Sequence, residues 1–236
     1  MRDWTFGRVF PPKRSGFTAL YVTLVRVLHA IRFYHLRNER YAALIRSLAG
    51  SAFQKGGFSV DLGCGPGALT ALLRGDHILL GVDSDREALH NFAEPDIPRI
   101  QASAERLPFS AKSVDVVLAI SLVEHIENQS AFFVEVARVL KPGGRLVIQL
   151  PELRYLIEPH TKWPLLYLWS PTLQARILAA TGYRDLNLST TLSWVKSFAA
   201  AAGFSVDRVI LIWHFRLAQI FRFPMGYFVA FKTANT

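Results

Sequence analysis

The chain has 236 residues, of which 51% are hydrophobic, 12% aromatic and only 19% charged, so it can bury a large core without disulfides or a structural metal. This composition excludes a globally disordered, collagen-like or coiled-coil protein. The single cysteine, Cys64, cannot form an internal disulfide, and no cysteine–histidine cluster has zinc-ligand spacing. We therefore expect one elaborated domain without a bound metal, in a reducing and hence cytoplasmic compartment.

The net charge of +9 is concentrated near the start of the chain. Residues 1–58 contain ten basic and two acidic residues, a net +8, whereas the remaining 178 residues are almost neutral. An anionic partner is expected for this basic segment. The longest apolar stretch there, residues 17–25, is too short to span a bilayer and does not fit a secretory signal.

The first predicted element is a helix or helix pair over residues 17–41. Apolar residues recur there with helical period, and arginines and His29 gather on the other side. We interpret residues 1–56 as a basic amphipathic helical cap and residues 57–236 as the domain that follows. The apolar face of the cap covers the core of that domain or rests on an anionic membrane surface, and the two roles are compatible.

After the cap, apolar strands alternate with helices, which predicts a parallel sheet covered on both faces. Ser84 is the predicted N-cap of the second helix of the domain. The predicted strands are residues 58–62, 77–83, 99–102, 113–120, 145–151, 204–212 and 225–233, and the predicted helices are residues 68–75, 84–92, 129–140 and 193–203.

Residues 152–192 interrupt this alternation with three prolines and several aromatic residues. An interruption of this length in a compact domain is more often functional than idle. We predict that it forms a helical and loop lid over an acceptor site. Trp163, Tyr167 and Trp169 would line an apolar pocket, pack the lid onto the domain, or both.

The sequence VDLGCGPG places Gly63, Gly65 and Gly67 where a strand turns into a helix, so that the backbone can approach a ligand closely. Together with Ala68, these glycines also satisfy the dinucleotide fingerprint, so they do not choose between cofactors. Asp61, at the end of the same strand, would suit a cationic ligand and repel a pyrophosphate. A ligand with an ammonium and a sulfonium group therefore fits better than NAD.

Asp83 ends the second strand, 22 residues after Asp61. A carboxylate at this place can accept hydrogen bonds from ribose hydroxyls, with either cofactor. The alternative is that it caps the next helix.

Five segments in this order and spacing, VDLGCGPG, GVDSD, AERLPF, SVDVVLAISLVEHIEN and VLKPGGRLVI, resemble the class I S-adenosylmethionine-dependent methyltransferases. The most similar branch contains the small-molecule, quinone and lipid methyltransferases. The resemblance covers residues 57–150 and, more weakly, the closing strands. It implies an α/β, Rossmann-like fold with a seven-stranded, mostly parallel sheet, helices on both faces and a last pair of strands that forms an antiparallel hairpin.

The resemblance also implies S-adenosyl-L-methionine as the cofactor and assigns positions to it. The methionine part would lie at Asp61 and the loop, the ribose at Asp83, the adenosine beside Ser84 and the adenine between Ala104 and Glu105. Family members usually have an acidic residue just before this Ala-Glu pair, where the present chain has Ser103. The implied cofactor-binding residues are Asp61, Gly63, Cys64, Gly65, Gly67, Asp83, Ser84, Ala104, Glu105 and Ser121.

Methyl transfer from a sulfonium needs alignment and exclusion of water, and it needs a general base only if the acceptor must lose a proton. His125, with Glu124 beside it, is one candidate base. His160, with Glu158 nearby, is the other. Each histidine also has a structural interpretation, as a loop hydrogen-bond partner or a lid residue.

The acceptor expected from the lid aromatics and basic cap is a small-molecule, lipid or saccharide substrate with an apolar part, methylated on oxygen. An RNA methyltransferase is the alternative that the +9 charge permits. Nucleic acid is the less favoured partner, because no RNA-binding module is recognisable. The chain also lacks an asparagine-proline-proline-aromatic type of motif for amino groups on bases, since residues 119–122 read AISL instead. A non-catalytic, cofactor-binding scaffold of the same fold is the non-enzyme alternative.

Overall fold

A seven-stranded sheet organises the computed structural model, which describes residues 33–53, 56–153, 158, 161, 163–212, 224 and 226–234. The strand order is β3-β2-β1-β4-β5-β7-β6. The first five strands are parallel, and β7 is antiparallel to both β5 and β6. The strands are β1 (Phe58–Leu62), β2 (Ile78–Asp83), β3 (Arg99–Gln101), β4 (Val114–Ile120), β5 (Leu140–Pro151), β6 (Phe204–Ile212) and β7 (Gly226–Thr233).

Helices cover both faces of this sheet. They are α1 (Phe33–Ala49), α2 (Ala68–Leu72), α3 (Arg86–His90), α4 (Gln129–Val139), α5 (Pro171–Thr181) and α6 (Leu192–Ala201), with 3-10 turns at Gly50–Phe53, Val123–His125 and Leu166–Leu168. The predicted fold class is therefore confirmed, including the antiparallel last pair of strands.

One face of the sheet packs against α4 and α6, whose side chains Phe132, Phe133 and Val195 are fully buried. The opposite face packs against α1 and α2, where Ile45 and Leu73 are fully buried. Because the central strands contact a helix layer on each side, β4 has almost no polar positions.

The described part of the predicted N-terminal cap is α1, and its last turns belong to the core. The helix ends at Ala49, beyond the predicted end at residue 41, because Ile45, Leu48 and Ala49 all pack against the sheet. Residues 1–32, which include most of the basic residues of the predicted cap, lie outside the described residues. Within the described residues, no helix combines the length and the hydropathy that crossing a bilayer requires.

Other predicted boundaries also differ from the structure, two of them for identifiable reasons. Ser84 does not cap α3, because the side chain of Asp85 accepts hydrogen bonds from the backbone N–H groups of Glu87 and Ala88. Strand β5 begins at Leu140 rather than at residue 145. The predicted turn sequence KPGG belongs to this strand, and the register of pairing between β5 and β4 is irregular at this point.

The described part of residues 152–192 contains a small core of its own. Leu153, Leu166, Ile177, Leu178 and Leu186 are buried together, and Trp163 packs against them. The segment, which we call the lid, is therefore stabilised partly by its own side chains and contains the amphipathic helix α5.

Candidate functional site

The glycine loop follows β1 at the carboxyl edge of the sheet, where ligands of open α/β sheets bind. The backbone N–H groups of Gly63 and Cys64 both donate to the carbonyl oxygen of Val82, at 2.8 and 3.2 Å. The N–H of Gly65 donates to Oδ2 of Asp83, at 2.7 Å. These bonds fasten the loop to the end of β2 and bring Asp83 directly beside it.

Gly65 and Gly67 of this loop are needed for different structural reasons. A Cβ atom at Gly67 would lie 2.4 Å from the ring of Phe92, so this glycine makes room for a packed side chain of the domain itself. A Cβ atom at Gly65 would meet nothing within 4 Å, although its φ of +53° also favours glycine. Gly65 therefore turns a bare stretch of backbone toward open space, as a loop that receives a ligand must.

Asp61 is a buried carboxyl group beneath this loop, only 3% exposed. Its Oδ2 accepts a hydrogen bond from the hydroxyl of Thr70, 2.6 Å away, in α2. Burial raises the pKa of Asp61 to about 7, the bond from Thr70 opposes this rise, and the charge of Asp83 adds to it. A cationic ligand would relieve the cost of ionising this group, so the site fits an ammonium or sulfonium centre.

Asp83 is fixed by two backbone donors. Besides Gly65, the N–H of Asp85 donates to its Oδ1, at 2.9 Å. Since Asp85 caps α3, Asp83 is not the helix cap. Its carboxylate, half-buried and held in place, is suited to accept hydrogen bonds from a diol. Ser84 is exposed next to it, and its carbonyl accepts a bond from the Gln101 side chain, at 2.9 Å.

The predicted adenine-side residues lie in a tight turn after β3. Ser103 Oγ accepts a hydrogen bond from the N–H of Glu105, at 3.2 Å, so the serine that replaces the usual acidic residue shapes this turn. Glu105 in turn accepts a bond from the backbone N–H of Asn128, at 2.9 Å. This contact joins the Ala104–Glu105 turn to the loop between β4 and α4.

Ser121 ends β4 with a left-handed backbone conformation, φ +53°. Its N–H donates to the carbonyl of Gln149, at 3.0 Å, and its hydroxyl donates to the side-chain oxygen of the same residue. A non-glycine residue held at positive φ by two bonds to one neighbour is a feature often found at functional sites. Ser121 thus aims the following loop across the carboxyl edge of β1 and β5.

Hydrogen bonds join the loop after β4 and the first residue of α4 to the lid. Nδ1 of His125 lies 2.9 Å from Oδ2 of Asp185, and the N–H of Asn187 donates to the carbonyl of Glu124, at 2.8 Å. The buried amide of Gln129 donates to Thr190 Oγ1, at 2.7 Å. The lid therefore contacts the part of the domain that carries the predicted base.

The other predicted base lies outside the described residues, since His160 is not among them. Its predicted companion Glu158 is fully buried, and its carboxylate accepts a bond from the backbone N–H of Thr161 while its own N–H donates to the carbonyl of Trp163. Glu158 therefore closes a turn inside the lid. Glu124, beside His125, is also fully buried.

Sequence reasoning missed three polar residues near this edge. Asp185 was not considered because 60 residues separate it from His125. Glu152 and Tyr227 form a hydrogen bond, with the phenol donating to Oε2 at 2.8 Å, where β5 ends and β7 begins. Burial raises the pKa of Tyr227 above its usual range. The position of Glu152 directly after a predicted strand could have identified it.

Open space lies beside the lid. A cavity of about 690 Å³ lies between the β4–α4 loop and the end of the lid, and Asn187, Thr190 and the exposed Trp194 contribute to its wall. A second cavity of about 330 Å³ is lined by Tyr167, Gln174, Leu188 and Ser189. Among the residues that the structure describes, no group of three or more His, Cys, Asp or Glu could hold a metal ion.

Known methyltransferases are similar to this chain in sequence and in fold. Residues 60–148 match the family model described as a methyltransferase domain. The chain is 34% identical over 125 residues to the trans-aconitate 2-methyltransferase of Azoarcus sp. (strain BH72), covering 51% of this chain and 49% of that protein. It is 32% identical over 115 residues to the ubiquinone/menaquinone biosynthesis C-methyltransferase UbiE of Pseudoalteromonas translucida, covering 44% and 46%.

The chain thus spans about half the length of the curated relatives that it matches. Among solved structures, an S-adenosylmethionine-dependent methyltransferase from Mesorhizobium loti has the same fold, with a TM-score of 0.63 at 20% identity, over 80% of this chain and 96% of that one. The resemblance indicated by the sequence motifs is confirmed. Residues 60–148 match a methyltransferase domain, and the fold is one that solved S-adenosylmethionine-dependent methyltransferases also have.

Proposed function

We propose that the protein transfers a methyl group from S-adenosylmethionine to a hydroxyl oxygen of a small acceptor with an apolar part, such as a lipid-like molecule or a saccharide. The observation that carries the cofactor assignment is the buried carboxyl group of Asp61 beneath a loop whose Gly65 faces open space. A cation suits the carboxyl group, and the pinned carboxylate of Asp83 suits a ribose diol.

S-adenosylmethionine, when bound, supplies a methyl group that is already activated for displacement. The residues of the chain then have to align the acceptor and exclude water from the reacting centre. The lid is placed to do both, because it follows β5 and is bonded to the β4–α4 loop at the carboxyl edge. Trp163 packs within the lid, whereas Tyr167, Gln174, Leu188 and Ser189 line a cavity of mixed polarity beside it.

An acceptor hydroxyl must lose its proton during the transfer, and an acidic carbon must lose one as well. His125, supported by Asp185, is therefore proposed as the base, with His160 as the alternative in the lid. The name of the UbiE relative specifies methylation of carbon, so oxygen and carbon acceptors have to be distinguished directly.

We propose a peripheral contact of residues 1–45 with an anionic membrane surface. This proposal rests on the net +8 of residues 1–58, since α1 itself is packed against the core. Binding to vesicles containing phosphatidylglycerol should weaken as salt is added. Equal sedimentation with neutral phosphatidylcholine vesicles would contradict it.

The function is tested by incubating the full chain with S-adenosylmethionine carrying a labelled methyl group. The acceptors are 1-naphthol, 1,4-dihydroxynaphthalene, octyl glucoside, a total lipid extract and transfer RNA, and mass spectrometry locates the label on oxygen, carbon or nitrogen. We expect O-methylation of an apolar acceptor. Label in RNA alone would favour the RNA methyltransferase, and cofactor binding without any labelled product would favour the scaffold.

A further inference from the structure

The contact between His125 and Asp185 joins two segments 60 residues apart, one from the cofactor domain and one from the lid. The main chain of His125 is fixed, since its N–H donates to the carbonyl of Leu122, at 2.8 Å. Asp185 follows α5 and lies in the chain that returns from the lid to α6. Its position relative to His125 is therefore set by how the lid docks.

The docking itself is defined by backbone and buried groups that flank the pair. Asn187, two residues after Asp185, donates its N–H to the carbonyl of Glu124, the residue before His125. Thr190 and Gln129, both nearly fully buried, form a further bond. Two independent contacts thus place the Asp185 carboxylate at the Nδ1 side of the ring.

The side chains of His125 and Asp185 are too exposed for their contact to stabilise the core. The Asp185 side chain is 63% exposed and that of His125 is 22% exposed. Exposed ion pairs contribute little to stability, because water competes for both partners and the side chains lose freedom. The contribution of this pair to stability is therefore small, and the effect of the carboxylate on the ring is the more informative property of the contact.

We propose that Asp185 is a positioning residue that holds His125 in the Nδ1–H tautomer, an inference that rests on the proposed function. An ionised carboxylate only accepts hydrogen bonds, so the 2.9 Å contact requires the proton on Nδ1. The lone pair of the neutral ring is then on Nε2, where it can accept a proton from an acceptor. Since Asp185 follows α5, the lid supplies the residue that orients the base.

Other titratable groups around the ring do not replace this carboxylate. Tyr183 of the lid lies with its ring centre 6.4 Å from that of His125. Glu124 and Glu127 belong to the loop of His125 itself, and Glu124 is fully buried. The contact at Nδ1 is made by Asp185.

The test uses the full chain labelled with ¹⁵N-histidine, in spectra that report which ring nitrogen carries the proton. Spectra are recorded with and without S-adenosylhomocysteine, at a pH where titration shows the ring to be neutral. The His125 signal is assigned by its loss in His125→Gln. We expect the Nδ1–H form in the wild type and a clearly smaller Nδ1–H fraction in Asp185→Ala.

Asp207→Ala is the matched control, because the Asp207 carboxylate of β6 likewise contacts a nitrogen of one side chain, that of Arg145 in β5, at 2.8 Å. It should leave the His125 signal unchanged. An Nε2–H ring in the wild type, or equal tautomer populations in wild type and Asp185→Ala, would overturn the proposal. Because the tautomer is read without turnover, failure of S-adenosylhomocysteine to bind would count against the proposed function and not against this pairing.

Discussion

The hydroxyl of Thr70 donates a hydrogen bond to the carboxyl group of Asp61, across 2.6 Å. Both side chains are buried, and Thr70 lies in the first helix after the glycine loop. The bond therefore ties β1 to α2 directly beneath the loop. The protonation state of this buried carboxyl group should therefore depend on the charge of a ligand bound at the loop.

Cofactor binding should be coupled to proton release at Asp61. Burial raises the pKa of this group to about 7 in the ligand-free protein, and a nearby cation lowers it. Affinity for S-adenosylmethionine should therefore rise with pH as the pH approaches about 7, by up to about tenfold per pH unit, and then level off. Calorimetry at pH 6 in buffers of different ionisation enthalpy measures the released proton. Asp61→Asn should abolish the pH dependence, and an unchanged slope would contradict the assignment.

The same group predicts how the stability of the ligand-free protein depends on pH. Its pKa is raised in the folded state above the ordinary value of 3.8, so the unfolded chain releases this proton first. The contribution of Asp61 to stability is thus present below about pH 4 and is lost as the pH rises to about 7. Unfolding of Asp61→Asn, measured by urea titration, should lack this component.

Replacing Asp83 should weaken cofactor binding without unfolding the chain. Asp83→Asn keeps the shape but removes the ionised acceptor, which costs about 1.5 to 3 kcal/mol and so weakens binding roughly ten- to hundredfold. Asp96→Asn serves as a control, because Asp96 is an exposed residue paired with Arg74. Equal affinities of the two variants for S-adenosylmethionine would remove Asp83 from the site.

Gly65→Ala and Gly67→Ala should fail in different ways. Both glycines have positive φ, which costs an alanine about 1 kcal/mol or more. A methyl group at residue 67 also collides with Phe92, so Gly67→Ala should lower the melting temperature markedly. At residue 65 it enters open space, so Gly65→Ala should fold but bind S-adenosylmethionine poorly. Thermal melts with and without the cofactor distinguish the two outcomes.

The general base can be identified by comparing two histidine variants in the methyl-transfer assay. If His160 is the base, His160→Gln should lower the rate by roughly 10²- to 10⁴-fold with unchanged cofactor affinity. If His125 is the base, His125→Gln should produce that loss and His160→Gln a near-normal rate. Normal rates in both variants would mean that the acceptor reacts without a histidine base.

Replacing residues 154–183 by a short linker should abolish methyl transfer while S-adenosylmethionine still binds. The shortened lid keeps Asp185, Asn187 and Thr190, whose contacts hold the β4–α4 loop, but it loses α5 and the aromatic residues. Equilibrium dialysis and turnover measure the two properties separately. A loss of cofactor binding would mean that the removed segment belongs to the cofactor side of the cleft.

The sheet could be predicted because its central strands, such as β4, are largely buried and therefore read as almost uninterrupted apolar runs. The position of Asp61 and Asp83 at strand ends follows directly from that pattern. The cap of α3 could not be assigned with the same certainty, since Ser84 and Asp85 are both good capping residues and only the backbone decides between them.

The parts of the site that depend on the lid could not be predicted. Nothing in the sequence near His125 indicates that Asp185 approaches it, because the two meet only through the docking of the lid. The glycine pattern likewise gives no means of telling Gly67, which faces Phe92, from Gly65, which faces open space. Both distinctions arise from tertiary packing.

The position of β7 between β5 and β6 has a consequence for synthesis on the ribosome. Residues 226–233 are translated after every other strand, yet they pair with β5 on one side and β6 on the other. Until they leave the exit tunnel, the edge of β5 stays open and β6 has no place in the sheet. The core around Phe228 to Phe231, which are fully buried in the folded chain, therefore cannot be completed before this strand has been translated.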